Sequence, residues 1–186
     1  MGSNNATHAE NQQERLITIG WIIGYVDGEG CFSLGLIKQS NREEKHRTRK
    51  GYKLGYQVFH EFAVTQGESS LESLNALQKF FGVGAVYKNT RHDNHKENLY
   101  RFVVRRREDI LSVIIPFFEE YTLRTAKQKN FQYFVQGMRE IEQGNHLTKE
   151  GLISILEISQ NMNHKRDRSE VIRILRNQTS ECCIAT

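Results

Sequence analysis

The hydrophobic positions of this chain change their period from stretch to stretch, and each change predicts a new element. Over residues 13–27, Leu16, Ile17, Ile19, Ile22, Ile23 and Val26 spread around most of a helix, which predicts a helix buried on several sides. From Gly30 the period shortens to two. Phe32, Leu34 and Leu36 alternate with Ser33, Gly35 and Ile37, the pattern of a strand with one core face. A second strand over residues 54–65 sets Val58, Phe62 and Val64 against Gln57, Phe59, Glu61, Ala63 and Thr65. Leu71, Leu74, Leu77, Phe80 and Phe81 then return to helical spacing, with Glu68 or Ser69 as the cap and Gly82-Val83-Gly84 as the stop. Strands over 85–89 and 99–105 form a hairpin about a polar tip at 91–96. A short helix over 110–115 is interrupted at Pro116. A long helix over 123–143 ends at Gly144. Thr148 caps a helix over 149–162, and Ser169 caps a last one over 170–176.

The order αββαββα predicts an α+β fold: one antiparallel four-stranded sheet with helices on one face, the other left for solvent or a partner. Residues 1–12 are polar and expected to be a disordered tail, 13–143 the core, and 144–186 a helical extension and tail. Residues 40–52 read as a long charged loop.

Two features of the first helix change this picture. Gly20, Gly24 and Gly28 recur every fourth residue, forming one stripe. Each costs roughly 1 kcal/mol relative to alanine, a cost offset when another backbone must approach closely. Asp27 and Glu29 then stand at the helix's C-terminal end, where the macrodipole is negative and a carboxylate calls for a nearby cation. The stretch therefore predicts a tight helix–helix seam with a metal at its foot.

Composition bounds the partners. The 186 residues are 38% hydrophobic and 26% charged, a globular balance, and no apolar run approaches a membrane span. The polar N-terminus lacks a signal-like apolar region, so the expected location is intracellular rather than secreted. Cys31, Cys182 and Cys183 suit neither a disulfide framework nor zinc spacing and are expected to be free thiols. The net charge of +4 is modest, but bases cluster over residues 42–53, 101–107 and 164–176, which points to a polyanion.

Ile22-Ile23-Gly24-Tyr25-Val26-Asp27-Gly28-Glu29-Gly30 resembles the motif of the LAGLIDADG homing endonucleases, with glutamate at the eighth position where the family has aspartate. Phe62-Ala63-Val64-Thr65-Gln66, and Pro116-Phe117-Phe118 through Thr125-Ala126-Lys127-Gln128-Lys129-Asn130-Phe131, resemble the family in the right order. The resemblance covers about residues 13–140. It implies Glu29 as the metal-binding carboxylate, with the Gly28 carbonyl as a further ligand for Mg²⁺ or Mn²⁺. It implies Gln66 as holder of an active-site water and Lys127 as the basic catalytic residue, with Arg124 and Lys129 close by. Asp27 falls at the family's capping and packing position.

The free sheet face becomes a saddle that reads duplex DNA in the major groove. Its expected readers are Ser33, Gln39, Gln57, Glu61, Tyr87, Asn89, Arg101 and Arg105, with Arg47, Arg49 and Lys129 adding contacts. Only one motif copy is found, so two chains must pair through Gly20, Ile23, Gly24 and Asp27, which implies a pseudo-palindromic target. The implied function is a homodimeric, site-specific endonuclease that makes a double-strand break by metal-dependent phosphodiester hydrolysis, leaving short 3′ overhangs. Its rivals are an RNA maturase, a non-cleaving DNA-binding regulator on the same scaffold, and an unrelated basic RNA binder. Retention of both acids and of Gln66 favours the nuclease. RNA binding remains the lesser partner expectation.

Overall fold

The computed structural model describes residues 3–39, 42–44, 47–49, 51–52, 54–89, 97–162 and 167–177, with backbone alone for 3–10, 42–44 and 47–49. The elements are α1 (Ser3–Glu29), β1 (Gly30–Lys38), β2 (Arg42–Glu44), β3 (Arg47–Arg49), β4 (Tyr56–Gly67), α2 (Leu71–Phe81), β5 (Ala85–Asn89), β6 (Leu99–Val104), α3 (Arg107–Asp109), α4 (Ile115–Glu120), α5 (Lys127–Glu142), α6 (Lys149–Gln160) and α7 (Ser169–Asn177). The fold is α+β, with a four-stranded antiparallel sheet in the order β1-β4-β6-β5. Contacts divide the chain into two compact units, Met1–Phe32 with Glu61–Gln128, and Ser33–His60 with Lys129–Thr186. Strands β1 and β4 run through both.

The first unit is built on phenylalanines. Phe32 and Phe62 stack at 5.1 Å between centroids, Phe118 meets Phe62 edge-on at 5.7 Å, and Phe81 meets Phe117 at 5.1 Å. Ile19, Ile22 and Val26 of α1, and Leu74 and Leu77 of α2, are buried with them. α2 ends at Gly82 in the left-handed conformation, φ 66°, where its N–H donates to the Gln78 carbonyl.

In the second unit Leu152, Leu156, Ile172 and Leu175 form a core, packed against Leu36, Leu54, Tyr56, Val58, Ile153 and Val171. Gly137 lies mid-helix in α5 because a Cβ there would run into the Leu34 side chain. Thr148 caps α6 as expected, accepting from Gly151 N at 3.0 Å.

Several expectations are corrected. α1 starts at Ser3, not near Gln13, so residues 3–12 continue the helix. Residues 3–14 contain neither glycine nor proline, and each added helical residue gains a hydrogen bond once the helix is nucleated. The charged stretch over 40–52 contains a hairpin, with Glu44 opposite Arg47 and Glu43 opposite Thr48. Pro116 does not break its helix: it sits in the first turn of α4, where a missing N–H costs least, behind a wider π turn at Ile110–Ile114. Asp167, not Ser169, caps the last helix, accepting from Ser169 N at 2.9 Å. No side chain caps α2; a 3₁₀ turn at Glu68–Ser70 leads into it. The hairpin tip at 91–96, Cys182 and Cys183 lie outside the described residues.

Candidate active site

The two carboxylates that close α1 have different surroundings. Asp27 turns to the segment before α5: Oδ2 accepts from Arg124 N at 2.7 Å, and Oδ1 from Thr125 N at 3.2 Å and Thr125 Oγ1 at 2.8 Å. The same hydroxyl accepts from Lys127 N at 3.2 Å, at the first turn of α5. This cap is why α5 starts at Lys127 and not near Leu123, as the sequence predicts. The Asp27 carboxylate, expected at the subunit seam, is thus committed to its own protomer. Asp27→Ala should lower stability by about 1–2 kcal/mol. An unchanged denaturation midpoint would contradict this role.

Glu29, the last residue of α1, is exposed, and its carboxylate makes no hydrogen bond or ion pair among the described residues. Between the acids, the Gly28 carbonyl accepts from Lys127 Nζ at 3.1 Å. Burial holds the Lys127 ammonium below the ordinary lysine value, while Cys31, Asp27 and Glu29 oppose that shift. Gln66 lies near the end of β4, paired with Tyr100 and on the same sheet face as Phe62 and Val64. Tyr25 lies near both Gln66 and Glu29. Burial pushes the Tyr25 phenol up; the nearby Ser73 side chain opposes this, the Glu29 charge adds to it and the Gln66 side chain opposes it, while the hydroxyl itself is buried without a hydrogen-bond partner among the described residues. Tyr25 also stacks on Trp21 at 5.2 Å. Sequence reasoning missed Tyr25, although it stands inside the motif, and Thr125, whose hydroxyl joins Asp27 to the start of α5.

Among the described residues, no three His, Cys, Asp or Glu side chains converge. The donors present are one carboxylate, one carbonyl and the negative end of α1. That set fits a hard divalent cation that keeps most of its waters or takes oxygens from a substrate. The Gly28 carbonyl has two lone pairs and can serve Lys127 and a cation together.

The strand register gives the opposite sheet face. Thr65, Arg101 and Tyr87 form one row across β4, β6 and β5, with Asn89 one pair further along the same face. Tyr87 and Asn89 are exposed. Glu61, expected from the sequence to be a free reader, is instead buried, with Oε1 at 2.5 Å from Arg101 Nη2 and Oε2 at 2.7 Å from Arg105 Nε. In the second unit Gln39 Nε2 donates to Gln57 Oε1 at 3.0 Å, Ser33 is half-buried, and Lys129 lies 6.0 Å from the Tyr133 ring centre. Arg47 and Arg49 stand on β3.

The glycine stripe is open. A Cβ added at Gly20, Gly24 or Gly28 would meet nothing within 4 Å. Ile17 and Trp21 beside it are 63% and 39% exposed, whereas Ile23 is half-buried in its own protomer. No helix among the described residues is long and apolar enough to cross a membrane.

Three comparisons bear on this geometry. The sequence pattern of a LAGLIDADG endonuclease matches residues 22–138. The chain is 31% identical over 150 residues to an uncharacterized 50.9 kDa protein in ND4 intron 1 of Podospora anserina, covering 78% of this chain and 30% of that one. It superposes on the homing endonuclease I-TnaI with a TM-score of 0.67 at 37% identity, covering 85% of this chain and 95% of the other. The LAGLIDADG homing endonuclease I-LtrWI, bound to target DNA, gives 0.71 at 28% identity, covering 91% and 50%.

Proposed function

Because the chain belongs to the LAGLIDADG endonuclease family, we propose that it acts as a homodimeric, site-specific homing endonuclease on a long, pseudo-palindromic DNA target. It makes a double-strand break by hydrolysing one phosphodiester per strand with Mg²⁺ or Mn²⁺. The observation that carries this reading is the division of labour at the foot of α1. Asp27 is committed to Arg124 and Thr125, while Glu29 two residues on is exposed and makes no hydrogen bond or ion pair among the described residues. A carboxylate left free at the negative end of a helix opposes the macrodipole, so a cation beside it is favoured there.

Glu29 and the Gly28 carbonyl would hold the divalent ion. That ion, when bound, supplies charge stabilisation at the scissile phosphate and an acidified water. Gln66 both donates and accepts, so it can hold a water in line with the phosphate. Lys127, fixed by Gly28, places positive charge where the leaving oxygen develops negative charge. The seam is the open stripe of α1, and a second copy of the chain supplies the matching stripe and a second Glu29. The sheet face bearing Arg101, Tyr87 and Asn89 lies against the bases.

The test is digestion of a randomised duplex library with Mg²⁺ or Mn²⁺, against a chelated control, followed by sequencing of the cut ends. Metal-dependent cuts at one family of near-palindromic sites are expected; their absence would overturn the reading. Lys127→Met should slow single-turnover cleavage about 100-fold or more with duplex binding kept. A rate within a few-fold of the parent protein would remove Lys127 from the reaction.

A further inference from the structure

Among the described residues, one buried and fully engaged acid, Glu61, stands on the sheet's free face apart from the catalytic residues. Glu61 has a side chain only 4% exposed, and both of its oxygens are taken by arginines that are 32% and 59% exposed. Phe62 pairs with Val104, so the register continues to place Glu61 opposite Arg105, while Arg101 pairs with Thr65. The Ala63–Val103 pair lies between them, small and buried. For both guanidinium groups to reach one carboxylate, the Arg101 stem must run along the sheet over that pair. Each arginine gives one donor nitrogen to Glu61: Nη2 from Arg101 and Nε from Arg105. A guanidinium carries five N–H donors in a fixed fork, so each keeps a pair of donors directed away from the carboxylate.

We propose that Glu61 is a positioning residue that holds Arg101 and Arg105 as a paired donor platform, which selects guanine at two neighbouring base pairs of each half-site. Two guanidinium groups held on the two oxygens of one carboxylate are kept within a few ångströms of each other, the scale of the roughly 3.4 Å step between adjacent base pairs. Guanine O6 and N7 are the acceptor pair that an arginine fork matches. A buried carboxylate removes the freedom that would otherwise let two long side chains take phosphates instead. This inference rests on the sheet face being the DNA-reading surface.

The test uses the purified full chain without divalent metal. It selects from a randomised duplex library and, in parallel, measures binding to one fixed non-cognate duplex across salt concentrations. Arg101→Ala and Arg105→Ala should each flatten guanine preference at one position about tenfold. Glu61→Ala should flatten both positions together while non-cognate binding holds or tightens, because a negative charge is removed from the face. Glu61→Gln, which keeps the shape, should give the same pattern more weakly and guards against a folding defect. If the arginine variants weaken binding equally at every sequence and only lower the salt slope, the guanidinium groups grip phosphate; the platform is then refuted and the DNA face stands. A Glu61 variant with unchanged base preferences would also refute it. If the Arg101→Ala, Arg105→Ala double variant binds both library and control like the parent, the sheet face is not the DNA surface and both readings fall.

Discussion

Glu29→Gln should abolish cleavage while leaving the folded chain and its duplex binding almost untouched. Metal-assisted stabilisation of a scissile phosphate is worth several kcal/mol, and each 1.36 kcal/mol is tenfold in rate, so the loss should be roughly a thousandfold or more. Binding should persist because affinity for a duplex comes chiefly from lysine and arginine on phosphate. Removing a negative charge near the backbone can only help it. Stability should hold or rise by a few tenths of a kcal/mol, since Glu29 has no hydrogen-bond or ion-pair partner among the described residues and opposes the macrodipole of α1. Asp27→Ala is the counterpart. It removes the acceptor for Arg124 N and for both groups of Thr125, so it should lower stability as well as rate. Measured side by side by single-turnover cleavage and denaturation, the two substitutions separate a metal ligand from a structural cap. Cutting by Glu29→Gln within tenfold of the parent would end the metal assignment.

What the sequence made legible was local. The helical period of α1, the switch to alternation after Gly30, the stop at Gly82 and the cap at Thr148 each depend on residues a few positions apart. The face assignment of Tyr87, Asn89 and Arg101 follows from the same period of two, and the register agrees with it. Long-range partners were hidden. Nothing near Asp27 in sequence announces that Arg124 and Thr125 would surround it, 97 and 98 residues away. Glu61 looked like any polar residue on an outward strand face. Its two partners are arginines 40 and 44 residues on, and no periodicity records that. The polar start of α1 and the hairpin of β2 and β3 were missed for another reason. Neither carries the apolar pattern from which an element is read.

Gly24→Leu should convert a dimer to a monomer without harming the protomer. Within one chain the position is open, with nothing within 4 Å of an added Cβ, so leucine meets no clash. Leucine also favours a helix over glycine by nearly 1 kcal/mol, so thermal stability of the monomer should hold or rise. Between two chains the effect reverses. In the proposed dimer the stripe of Gly20, Gly24 and Gly28 would let two α1 helices approach closely, and a branched side chain at its centre would force their axes apart. Ile17 and Trp21, exposed beside the stripe, would then lose the cover that a second copy gives them. Light scattering should report a mass falling from twice 21.7 kDa to a single 21.7 kDa chain, and double-strand cleavage should fall with it, because each copy brings one Glu29. Gly24→Ala should be intermediate. A retained dimer mass in Gly24→Leu would place the seam elsewhere. Concentration separates assembly from chemistry: association of the variant is restored by mass action as protein is added. Cleavage that returns in step with the dimer ties the double-strand break to two paired copies of α1. Cleavage that stays lost where the dimer has re-formed would instead put residue 24 in the reaction itself and take the seam out of the argument.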